Sequence, residues 1–195
     1  MKNVVLKGEL RSDLGKKATK EVRANGLIPC VIYGGDNPIH FSVKLNDIRE
    51  VVYTPDFKII QVELDGKTYK AILKDYQMHP VTEAIEHIDF LRLIDGHPVK
   101  VELPVRFKGV SPGVKLGGKL LQTLRKVKVK TTPQYLVDEI FMDISGMDLG
   151  QSIRVRDIHG LEGIEIMSSP GIPVATIEIP RALRSAAAAA EKAKK

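Results

Sequence analysis

Chemistry in this chain concentrates in Met78–Leu91, MHPVTEAIEHIDFL, which holds His79, His87 and Asp89. Imidazole and carboxylate groups this close together serve a metal site, a proton-transfer site, or contact with something larger than a small molecule. In an extended strand, residues two apart share a face, so His87 and Asp89 point the same way while Ile88 and Phe90 point to the core. His79 stands eight residues before His87, with Pro80 and a bend between. No HExxH pattern or paired Cys/His spacing supports a metal site, and no cofactor is expected.

Other catalytic patterns fail on spacing. GVSPGVKLGG, Gly109 to Gly118, is rich in glycine, but Val114 separates Gly113 from Lys115. A phosphate-cradling loop needs Lys directly after the second glycine, so a plain loop is expected. There is no nucleophile elbow. The single cysteine, Cys30, sits in the apolar run LIPCVIY and reads as a buried, inert thiol. An enzyme is not expected.

The segment from Lys16 points elsewhere. At about 100° per residue, Lys16, Lys20 and Arg23 cluster on one side of a helix, flanked by Lys17. Ala18 and Val22 fall on the far side, and Glu21 lies off the basic stripe. An apolar back and a cationic front suit a helix that packs by one side and faces a polyanion with the other. Tyr33 precedes Gly34-Gly35, where a backbone can approach a ligand and a phenol can stack or hydrogen-bond.

Charge is distributed in the same sense. The 195 residues carry a net +6, but residues 1–35 alone hold seven basic against three acidic groups. Residues 36–95 reverse this, with seven against eleven. The C-terminal stretch from Arg181 is Ala-rich and basic, and a frayed helix or flexible arm is expected there. No run approaches the roughly 20 apolar residues of a membrane span. The start has no secretory pattern, so a cytosolic protein is expected.

The elements that must position these groups are mostly strands. VVLKGEL, LIPCVIY, IHFSVKL and EAIEHIDFLRLI read as strands, and FKIIQVELDGKTYKAILKDYQ as a hairpin about Asp65-Gly66. Two short helices are expected, one at Lys16 and one in DIREVVY with Asn46 as its N-cap. Many short strands imply a mainly β protein, barrel or sandwich. A division is placed near residue 95: 1–95, a β-rich second domain at 96–180, and a tail at 181–195. In RKVKVK the lysines Lys126, Lys128 and Lys130 take one strand face, and either RNA or solvent could meet them.

RSDLGKKATKEVRANGLIPCVIYGG, KDYQMHPVTEAIEHIDFLRL and VELPVRFKGVSPGVKLGG together resemble one family over nearly the whole chain. It is bacterial large-subunit ribosomal protein number twenty-five in its long, two-domain form, also called the general stress protein CTC family. The resemblance implies an N-terminal β-barrel with short helices that binds 5S ribosomal RNA, followed by a second β-rich domain. It implies a cytoplasmic, ribosome-associated role supporting translation. The matching positions are Arg11, Lys16, Lys17, Lys20, Arg23, Tyr33, Gln77, His87 and Asp89, and Lys74 at the head of KDYQ is added as an RNA-binding candidate. Cys30 departs from the small residue usual there. Asp89 either contacts RNA directly, orients His87 or pairs with Arg11.

Overall fold

In the computed structural model, residues 3–35 and 37–181 are described. They fall into two compact units. One runs to Val101 and takes in Thr131–Asp138; the other begins at Glu102 and excludes that segment.

The first unit is a closed barrel. Its elements are β1 (Asn3–Leu10), α1 (Lys16–Ala24), β2 (Leu27–Tyr33), β3 (Ile39–Lys44), α2 (Leu45–Val52), β4 (Ile59–Leu64), β5 (Lys67–Met78) and β6 (Ile85–Arg92). Around the barrel the order is β1-β3-β2-β6-β5-β4. Two pairs are parallel, β1 with β4 and β2 with β6; the rest are antiparallel. Closure satisfies both strand borders and leaves no open edge. The expected barrel is therefore present, and the sandwich is not.

Alternation along each strand fills the lumen. Ile28, Cys30 and Ile32 of β2 point inward with Phe41, Ile60, Val62, Ile88 and Phe90, all buried. Phe41 and Phe90 pack with ring centroids 5.7 Å apart at 36°. The β4–β5 turn has Asp65 at φ 45° and Gly66 at φ 79°, the left-handed pair that matches the twist of a two-residue hairpin.

Helix α2 differs from expectation at its start. Its N-cap is Lys44, extended at φ −71° and ψ 141°, with no side-chain cap; Asn46 lies inside the helix. Strand β3 runs directly into α2, so the point of backbone reversal is set by Ile48, Val51 and Val52 reaching the core. The other end is held by a buried lysine. Lys58 Nζ donates to Glu50 O at 2.9 Å and pairs with Glu50 Oε1 at 3.0 Å. A cation there satisfies a terminal carbonyl and suits the negative end of the helix.

The second unit holds most of β7 (Val99–Lys108), then α3 (Pro112–Lys115), β8 (Lys119–Gln122), β9 (Lys126–Thr131), β10 (Ile140–Asp143), β11 (Ser152–Arg154), β12 (Ile164–Ile166) and β13 (Pro173–Glu178). They form two open sheets, β10-β7-β9-β12 and β11-β13-β8. The expected plain loop of GVSPGVKLGG contains one helical turn, α3, capped by Ser111. Ser111 is buried and donates to the Met147 carbonyl. A Cβ at Gly113 would lie 2.7 Å from the Asp148 carbonyl carbon. Close packing on the 147–149 segment, not ligand binding, accounts for that glycine.

Candidate nucleic-acid interface

The outer surface of β2, β6 and β5 collects the chemistry. Val31 lies beside Asp89 and Tyr33 beside Leu91 across β2–β6; His87 opposes Gln77 and Asp89 opposes Asp75 across β6–β5. Tyr33, Gln77, His87 and Asp89 thus share one face. Their neighbours Ile32, Ile88 and Phe90 are buried beneath it.

Two β-bulges shape this face. Leu73 pairs with Phe90 but Asp75 pairs with Asp89, so Lys74 is an extra residue. A bulge leaves its extra residue unpaired and resets which way the following side chains point. Without it Lys74 would oppose Asp89; with it, Asp75 does. Exposed Lys74 reaches the Lys100 carbonyl at 3.4 Å. The second bulge leaves Glu86 unpaired between Gln77–His87 and Met78–Ile85. The Glu86 carbonyl instead accepts from Arg23 Nε at 3.1 Å. Arg23 therefore ties the last turn of α1 to the strand that carries His87.

His87 Nδ1 lies 2.9 Å from Asp89 Oδ1, and both side chains are about one-third exposed. In a neutral imidazole whose Nδ1–H donates to the carboxylate, Nε2 is an acceptor. Asp89 retains a second oxygen, and Asp75 adds another carboxylate, with one oxygen accepting from Tyr76 N–H at 2.8 Å. Tyr33 holds its proton more tightly than a free phenol, because burial and then the Asp89 and Asp75 carboxylates disfavour its anion. The carboxylates make the face rich in acceptors, with an imidazole, one neutral hydroxyl and one carboxamide beside them.

Helix α1 lies beside it, packed on β2. Lys16, Lys17, Lys20 and Arg23 are exposed, while Ala18, Thr19 and Val22 are half-buried. The first turn has no acid. Acids are favoured at a helix N-terminus and cations disfavoured, so Lys16 and Lys17 work against the helix that carries them. Half-buried Arg11 donates to Asp13 O at 3.3 Å and Thr19 Oγ1 at 3.5 Å, which ties the 11–15 loop to α1.

The remaining candidates are explained locally. His79 Nδ1 accepts from Val81 N and Thr82 N, each at 3.2 Å, so it organises the β5–β6 turn. Among the described residues, no three His, Cys, Asp or Glu side chains are placed to hold a metal. Cys30 is buried in the barrel, and burial raises its thiol well above the ordinary range. No described helix is long and apolar enough to cross a membrane. Two participants escaped sequence reasoning, Asp75 and the Glu86 carbonyl. Both depend on bulges, which alternation alone does not reveal.

These features define a two-unit β protein whose first unit is a closed barrel with a cationic helix packed beside a carboxylate-rich face. The chain matches the Ribosomal L25p family over residues 6–90 and the model described as Ribosomal protein TL5, C-terminal domain, over residues 98–181. It is 40% identical to a large ribosomal subunit protein bL25 of Phocaeicola vulgatus, over 98% of this chain and all of the relative. The protein of that name from Cytophaga hutchinsonii is 42% identical at the same coverage, and that of Bacteroides thetaiotaomicron 39%. The chain belongs to the Ribosomal L25p family.

Proposed function

We propose that this chain is a non-enzymatic structural constituent of the large ribosomal subunit, located on ribosomes in the cytoplasm. It binds 5S ribosomal RNA through residues 1–95. The observation that carries this reading is the juxtaposition of the acceptor row with the cations of α1. A purely electrostatic polyanion site would exclude Asp75 and Asp89, which repel phosphate. A site that reads the shallow RNA minor groove needs acceptors, because that groove offers 2′-hydroxyls and the guanine amino group as donors. In this arrangement Lys16, Lys17 and Lys20 contact phosphates and set the register. His87, Asp89, Gln77 and Tyr33 meet sugar hydroxyls and base edges. Arg23 holds helix and strand together. Arg11 stiffens the loop before the helix, and Lys74 adds a cation at the bulge.

Titration of 5S ribosomal RNA against an unrelated duplex of equal length tests this reading. With about five phosphates neutralised, log K falls with log salt at a slope of roughly −3.5 to −4.5. Lys16→Ala with Lys20→Ala weakens binding to both RNAs. Asp89→Asn or His87→Ala reduces the preference for 5S RNA, with discrimination falling by about 1–3 kcal/mol. Equal affinity of the unmodified chain for both RNAs refutes the proposal.

A further inference from the structure

A second cationic surface lies in the other unit. Residues 102–130 carry eight basic groups against one acid, Glu102, whereas residues 139–181 carry three against seven. Five of those eight basic groups lie on β7 and β9 of the sheet β10-β7-β9-β12, whose outer strands carry Asp143 and Glu165. On β9, Lys126 and Lys128 are exposed and Lys130 is half-exposed, while Val127 and Val129 between them are fully buried. On the adjacent β7, Lys108 is exposed, and so is Arg106, which pairs with Glu139 at 3.5 Å.

We propose that the outer face of β7 and β9 in this unit binds the sugar–phosphate backbone of RNA without regard to sequence. The position of the lysines in the sheet is the first argument. Lysine on an edge strand guards against unwanted strand pairing, but β7 and β9 are the two inner strands of this sheet. Edge protection therefore does not explain them. Spacing is the second argument. Alternate residues of a strand lie about 6.6 Å apart, so three lysines in a row repel one another along the strand. Their compensation is slight. Lys128 meets Glu102 at 3.7 Å and Lys130 meets Glu165 at 3.5 Å, in pairs with both partners substantially exposed to water. Exposed pairs of this kind hold weakly and exchange readily for another anion. A line of phosphates supplies what the row lacks, namely several negative charges at regular intervals. This surface shares no residue with the barrel's acceptor face, so the two proposals can fail separately.

The full-length chain carrying Lys16→Ala and Lys20→Ala, with its barrel helix weakened, is the starting protein. Its binding to a fluorescein-labelled RNA duplex of arbitrary sequence is followed by anisotropy across a potassium chloride series. Lys126→Gln, Lys128→Gln and Lys130→Gln together reduce the steepness of log K against log salt by about 2 to 3. They also weaken binding at low salt by at least about tenfold. Glu102→Gln, which removes the acid that meets Lys128, tightens binding by about two- to fivefold. A destabilised chain cannot mimic that gain. An unchanged salt slope in the triple variant, or no tightening in Glu102→Gln, overturns the proposal. In that event an acidic protein surface becomes the better candidate partner.

Discussion

Asp89 has three geometric relations that constrain it. It lies 2.9 Å from His87 Nδ1, beside Val31 across β2–β6, and opposite Asp75 across β6–β5. Like charges directly opposite each other on neighbouring strands are destabilising. On the proposed function, the two carboxylates are kept on this face for the donors they meet. Tyr33 reports on this charge. Its folded-state pKa lies above the ordinary value of 10.0 through burial, Asp89 and Asp75, in that order. The stability from that shift is fully present below the unfolded value and is lost as pH rises through the folded value. Asp89→Asn removes one cause, so ultraviolet titration of the Tyr33 phenol shows a lower pKa in the variant, and an unmoved pKa removes Asp89 as a cause. Sequence spacing alone placed His87 and Asp89 on one face; it gave no hint of Asp75, because the partner across a strand pair is not a local property.

At the scale of elements, the strands and the basic helix were legible because period 2 and period 3.6 patterns are local and strong. The start of α2 was not, because Asn46 is a good capping residue overridden by the packing of Ile48, Val51 and Val52. β8 and β11, of four and three residues, are too short to show a period. Bulges are invisible for a related reason, since one added residue changes phase without changing composition. The Lys74 bulge makes a sharp prediction. Removing Lys74 leaves Leu73–Phe90 and Asp75–Asp89 as consecutive pairs, with Leu73 still inward and Asp75 still outward. The deletion therefore keeps the barrel, and its melting temperature by circular dichroism shifts by only a few degrees, on the order of 1 kcal/mol. Deleting Tyr69, where β4 and β5 pair in unbroken register, reverses the faces of every residue beyond it and unfolds the unit. Equal losses from the two deletions contradict this account.

For the whole molecule, division into two units lets a barrel with a shaped face and an open sheet with a charged face be varied separately. The barrel reading predicts that RNA stabilises the chain by mass action. At a free RNA concentration a hundred times Kd, the first unit gains about 2.7 kcal/mol, seen as a later barrel transition in a thermal melt. No shift with saturating 5S RNA rules out binding to the folded barrel. The parallel pairing of β2 with β6 has a further consequence, in time rather than space. Tyr33 and His87 are 54 positions apart in the chain, and β2 meets β6 only through long-range pairing. Such contacts form late, because a long loop must close before they yield any gain. During synthesis the cations of α1 emerge well before the acceptors of β6. A nascent chain can therefore attract RNA by charge before it can discriminate among RNAs. On the proposed function, selectivity arrives only when the last barrel strand is in place, which makes completion of folding the checkpoint for recognition.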